Sequence, residues 1–153
     1  MMTFFTILIS LQLLLITVHD WLHIPGWTHG HQAQAVLGPR KMWLGTLFHL
    51  ALAGPAVGFA IYYWHRPKPL AVLCYWVIYC VFIVIGAIAG WWMLYLRGAD
   101  QKTTDLYSKL YAGTRQIQPP RGDNPRPNLL HLHFHALFVV NLALAVLLLV
   151  RRR

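Results

Sequence analysis

The sequence predicts an all-α integral membrane protein, an antiparallel four-helix transmembrane bundle with an ordered loop between helices 3 and 4. Three observations predict it. Hydrophobic residues make up 58% of the 153 and charged residues 11%, too few polar groups to clothe a soluble globule. Four apolar runs, at about 3–23, 42–64, 70–96 and 129–150, approach or meet the roughly 20 residues a helix needs to cross the hydrocarbon core. The joins between the runs carry eight of the nine prolines, most of the cations and several of the glycines. The chain reads as one four-span membrane domain over 1–153, without a soluble domain or internal repeat.

The first run has no basic segment before it and no cleavage site nearby, so it is expected to stay as a helix; Pro25 and Gly26 follow its end. The second and third runs are joined by His65-Arg66-Pro67-Lys68-Pro69, which suits a tight hairpin. Gly54 and Gly58, like Gly86 and Gly90, have the small-xxx-small spacing of close helix packing, and Pro55 is expected to kink its helix. Trp91, Trp92 and Tyr95 read as an interfacial aromatic belt. Pro125, Pro127 and an N-cap at Asn128 precede the fourth run, and Asn141 within it is expected to bond between helices. In the long third loop, Thr103, Thr104 and Asp105 can cap a short interfacial helix through Leu106, Tyr107, Leu110 and Tyr111 that ends at Gly113.

Charge narrows the function classes. The formal net charge is +9, but the cations sit between apolar runs and at the C-terminal end, as topology and lipid headgroups require, so no nucleic-acid partner is expected. Eight cations fall on the face of loops one and three and five on the other, the latter packed into one short loop and the tail at Arg151, Arg152 and Arg153. Sidedness stays open: an integral, multi-pass membrane location is all the charge supports. Cys74 and Cys80 are spaced as neither a redox pair nor a disulfide framework.

Histidine placement points to chemistry. Of nine histidines, only His65 lies on the hairpin face; His19, His23, His29, His31, His49, His131, His133 and His135 gather on the other. Imidazole is the commonest metal ligand, and ionisable groups near a membrane interior are costly. As helical residues four apart, His19 and His23 share a face, with Gln12 near the same stripe, and so do His131 and His135. His49 and His135 fall at matching depths, with His19 close by. His19, His23, His49, His131 and His135 are therefore the expected metal ligands; Asp20, His29, His31 and His133 are expected to support or add to them. There is no Glu, so a Glu plus Glu-x-x-His di-iron bundle is excluded, and the His-x-x-His-His boxes of membrane desaturases are absent. A nitrogen-rich shell suits Fe, Cu or Zn, and a haem between His49 and His135 is an alternative.

The third loop is expected to lid this layer, with Arg115, Arg121 and Arg126 contacting an anion or lipid headgroup. The leading functional expectation is a metal-dependent membrane oxidoreductase acting on a lipophilic substrate or quinone. A non-enzymatic accessory or assembly subunit, within a homo-oligomer or a larger membrane complex, is the second reading. A proton or metal-ion conduit is the third, though Ser10, Gln12 and His65 are thin waypoints for one.

Overall fold

A computed structural model describes residues 1–152; Arg153, the last of the tail cations, lies outside the described residues. No strand occurs among them. The helices are α1 (Met2–Val18), α2 (Gly30–Tyr62), α3 (Leu70–Ala87), a π-helical turn (Ile88–Trp92), α4 (Met93–Arg97), α5 (Gln101–Leu110) and α6 (Leu129–Val150). Three helices are long and apolar enough to cross a membrane: α2, the continuous stretch Leu70–Arg97, and α6. This is the pattern of a multi-pass membrane protein. The apolar α1 has 17 residues, a length of about 25 Å at the helical rise, against a hydrocarbon core of about 30 Å.

Two backbone breaks shape the histidine end. α1 stops at Val18, so His23 lies in the irregular stretch beyond it rather than on a helical face with His19. Inside α2 the chain breaks at Gly38 (φ 73°, ψ 161°), a conformation open to glycine, and Pro39 starts the next helical segment. The segment before the break folds over the histidine end, where Ala33 and Met42 cluster with Leu110 and, around them, Trp21, Leu37 and Tyr111.

The main core lies between α1, α2, α3 and α6 and includes Phe5, Ile9, Trp76, Tyr79 and Phe134. Close approach of α2 uses the fully buried Ala53, Ala56 and Ala60. The glycines expected to do this do not: a Cβ at Gly54, Gly58, Gly86 or Gly90 would meet nothing within 4 Å. The helix turns them toward open space, and for Gly86 and Gly90 that space is the cavity described below.

A buried amide relay crosses the middle of the bundle. Asn141 Nδ2 donates to Gln12 Oε1 at 2.6 Å, and Gln12 Nε2 donates to the Tyr79 hydroxyl at 2.8 Å. α6, α1 and α3 are joined this way, because each amide in an apolar interior must find its partner on another helix. Asn141→Leu is expected to cost about 1 kcal/mol by stripping Gln12 of its donor, read as a lowered unfolding midpoint in mild detergent.

The lid is tied down along its length. α5 begins earlier than its sequence predicts, since Asp100, a stronger cap than threonine, accepts from Thr103 N at 2.8 Å. Backbone bonds from Arg115 N to Gly26 O and from Leu129 N to Arg115 O, both 2.7 Å, splice it between loop one and α6. Tyr95 Oη donates to Pro119 O at 3.0 Å, and Tyr107 Oη donates to Gly90 O at 2.8 Å.

Candidate metal centre

The site is made by a turn and a strap. Ile24-Pro25-Gly26-Trp27 forms a turn closed by Trp27 N donating to Ile24 O at 2.9 Å, with Gly26 at φ 76°; proline then glycine at its centre is the type II signature. The turn sends the chain back over the end of α1. There Thr28 Oγ1 accepts from Ile24 N and donates to Leu22 O, each at 2.6 Å, while Gly30 N donates to Leu22 O at 3.0 Å. His29, held between them, swings onto Asp20.

The result is three converging donors. His19 Nε2 and His29 Nε2 each lie 3.0 Å from Asp20 Oδ1, and one ligand atom from each residue falls within 4.8 Å of the other two. His29 is only 1% exposed, and although Asp20 is close, neither of its ring nitrogens makes a well-directed hydrogen bond. Burial pushes the Asp20 carboxyl up, but the contact with His29 and the positive charge of the His19, His29 and His49 rings when protonated outweigh it and hold the group below the usual carboxylate range. It stays ionised at neutral pH.

Hydrogen-bond partners fix the tautomers. The carbonyl of Ile16 can only accept, so His19 Nδ1, 3.1 Å away, carries the proton. In its neutral form His19 therefore aims a bare Nε2 at an ionised oxygen 3.0 Å away, a contact that either a proton or a metal ion between the two would satisfy. His131 is arranged alike. Asn128 Oδ1 accepts from His131 N at 3.0 Å and from His131 Nδ1 at 2.8 Å, which leaves its Nε2 bare. A ring whose far nitrogen donates to a carbonyl or amide oxygen is the usual support of a metal-bound histidine.

The remaining histidines divide. His131 lies 5.8 Å from His19 and 6.1 Å from His29, ring to ring, and His49 lies 6.4 Å from His19; both border the cluster. His135 is 6.3 Å from His131 and its Nδ1 accepts from Trp92 Nε1 at 3.2 Å. His23 and His31 are not brought in: both are exposed, and they stack on each other at 3.9 Å with nearly parallel planes. His133 is exposed against Trp27, its Nδ1 bonded to Leu129 O at 2.7 Å.

Aromatic rings close the site from two sides. Trp91 is buried with its ring 4.2 Å from His131, so it serves the site rather than an outer belt. The π-helical turn lets consecutive residues do this, Trp91 on His131 and Trp92 on His135; such turns often occur at functional positions. Tyr111 caps His29 at 4.5 Å. Its edge is accessible, yet desolvation by its neighbours, with Tyr107 and Asp20, pushes its phenol well above the usual range. Of the lid arginines, Arg121 lies over the Tyr95 ring at 5.3 Å, Arg126 donates to Gln118 O at 3.2 Å, and the Arg115 side chain is exposed.

Beside the cluster lies a cavity of about 380 Å³ bordered by His19, Asp20, His49, His131 and His135 at its polar end. Phe82, Phe134, Phe138, Gly86 and Gly90 form part of its apolar wall.

A residue that sequence reasoning passed over holds all this in place. A Cβ on Gly30 would drive into the Leu22 carbonyl, which is backbone and cannot swing away. Gly30→Ala is expected to lift His29 off Asp20 and weaken metal binding by about tenfold, roughly 1.4 kcal/mol, in a chelator-competition titration. The chain matches no protein-family model, no curated protein and no solved structure, so what the site does rests on its own residues.

Proposed function

We propose that the chain is a four-span membrane protein that binds a transition metal at His19, Asp20 and His29 and uses it in redox chemistry on a lipophilic substrate. The convergence of two imidazoles and one carboxylate within 4.8 Å carries this reading. Neighbouring ligands of a four-coordinate ion with metal–nitrogen bonds near 2.05 Å stand about 3.3 Å apart, so the 3.0 Å contacts need to open only by a few tenths. Two nitrogens and one oxygen suit Fe, Cu or Zn, and three protein ligands leave a position open for chemistry. His131, its Nε2 bare, borders these three ligands without joining them. Such a metal supplies one-electron or Lewis-acid chemistry; the protein orients its ligands, excludes bulk water beneath the lid and offers an apolar cavity alongside. The rings converge on a carboxylate rather than facing one another across a flat slot, which favours a bare ion over haem.

The fourth crossing is α1. Phe4, Ile7, Leu11 and Leu14 point outward along it and are all more than 40% exposed, a face that lipid accepts and water does not. The lid would then rest at the headgroups, where the exposed Arg115 and Arg121 can meet phosphate.

Elemental analysis of the protein purified gently in detergent tests the proposal. About one Fe or Cu per chain, lost in His19→Ala and His29→Ala, supports it, whereas Zn in the same site would keep the metal centre and overturn its redox role. A folded wild type that stays metal-free after reconstitution overturns it and leaves the accessory-subunit reading in front.

A further inference from the structure

We infer that His135 is not a metal ligand but the hydrogen-bond donor that holds the oxygen of a neutral, apolar carbonyl compound of the quinone class in the cavity beside the metal centre. The inference rests on the proposed metal site and names what that site would act on. It begins from Trp92, whose indole nitrogen can donate and never accept. At 3.2 Å from His135 Nδ1, the indole N–H requires that nitrogen to be the bare one. The proton of the neutral ring is therefore on Nε2.

This tautomer is opposite to that of its neighbours. His19 and His131 donate through Nδ1 to oxygen acceptors and keep Nε2 bare, ready for a cation. His135 has its only hydrogen bond among the described residues on Nδ1, and its Nε2–H is left to find an acceptor. His131 and His135 are four positions apart, so one face of α6 delivers a ligand-type imidazole and a donor-type imidazole to the same cavity.

The cavity describes the rest of the ligand. Its walls are mostly apolar, with Phe134 and Phe138 from α6 and Phe82 from α3, which suits a flat ring with an apolar substituent. Phe48 and Phe82, 56% and 54% exposed, belong both to this lining and to the outer apolar surface, so the mouth faces the bilayer. Gly86 is exposed beside them and leaves the passage open. A guest entering from lipid is apolar and uncharged, since a charge is costly to carry through the hydrocarbon. The Nε2–H of His135 lacks a partner there among the described residues, as do the His49 ring and the Tyr111 hydroxyl, and a ring carbonyl oxygen accepts such a bond without carrying charge.

The test uses a benzoquinone with a ten-carbon chain as probe, titrated into the full-length protein in detergent by quenching of tryptophan fluorescence, with metal content measured on the same samples. Wild type is expected to bind the quinone saturably. Gln at position 135 can still place an N–H near Nε2, so His135→Gln is expected to keep both metal and quinone. His135→Leu is expected to keep metal and to bind quinone on the order of tenfold more weakly. Gly86→Leu is expected to keep metal and to exclude the quinone by filling the mouth. In a ¹⁵N-histidine spectrum, Trp92→Phe is expected to shift His135 away from its single Nε2–H tautomer.

Loss of metal in both His135 variants would make it a ligand and overturn the inference. Equal quinone binding in wild type and His135→Leu would overturn it as well, as would a wild type that binds no quinone. If wild type lacks metal but shows the expected quinone series, the metal site fails and the role of His135 stands.

Discussion

His29→Ala is expected to reduce metal from about one equivalent to near zero, with affinity lowered by more than about a hundredfold, since loss of a mere supporting contact already costs 10- to 100-fold. The residue is 1% exposed, packed against Tyr111, and its ring makes no well-directed hydrogen bond, so a cation is the polar partner its position lacks. Its removal leaves the Thr28 bonds to Ile24 and Leu22 intact. The loop should therefore keep its path, and the effect should be on metal rather than on folding. Asp20→Asn is expected to act in the same direction, because Asp20 Oδ1 is the atom both imidazoles approach at 3.0 Å. His23→Ala with His31→Ala supplies the contrast: stacked on each other in solvent at 3.9 Å, they should be removable with full metal content retained. Metal content by elemental analysis and affinity by chelator competition check all three. Loss of metal in the His23/His31 variant would mean that the centre forms around different ligands.

That contrast marks where the sequence was legible and where it was not. Apolar runs and their proline-rich joins located the long helices and the N-cap at Asn128, because length and hydropathy are local properties. The histidine face was visible for the same reason. Which histidines meet was harder, since it depended on where α1 ends. A helix running on to His23 pairs it with His19; a helix ending at Val18 puts Asp20 in a turn and lets His29 reach back over it. A signal for this was present in Pro25-Gly26, a type II turn followed by Thr28, which can bridge backbone groups on both sides. Gly86 and Gly90 carried no such signal. Their spacing fits helix contact and cavity wall equally, and only the rotation of α3 against α6 decides between them.

Trp76→Ala is expected to be the most destabilising single change in the bundle, by about 3–5 kcal/mol, while leaving the metal centre loaded. Trp76 is fully buried, packs edge-on against Phe5 at 5.1 Å, and donates from Nε1 to Ala56 O at 3.0 Å. Alanine would leave a void between α1, α2 and α3, and lipid tails, as apolar as the lost ring, cannot enter a closed core to fill it. Trp76→Phe separates the two contributions. It keeps most of the packing against Phe5 and drops the bond to Ala56, so it should cost only about 1 kcal/mol beyond the smaller ring. Fifteen residues separate Trp76 from Trp91 along the same apolar stretch, about 22 Å at the helical rise, and the two changes should therefore not reach His131 or Asp20. Unfolding midpoints in detergent read the stability and elemental analysis reads the site. A Trp76→Ala protein that unfolds earlier yet carries a full equivalent of metal would establish that the bundle's mid-section supplies stability and its histidine end supplies chemistry. Joint loss of both under conditions where the variant remains folded would mean that the ligands are positioned by the whole bundle rather than by the turn between Asp20 and Gly30.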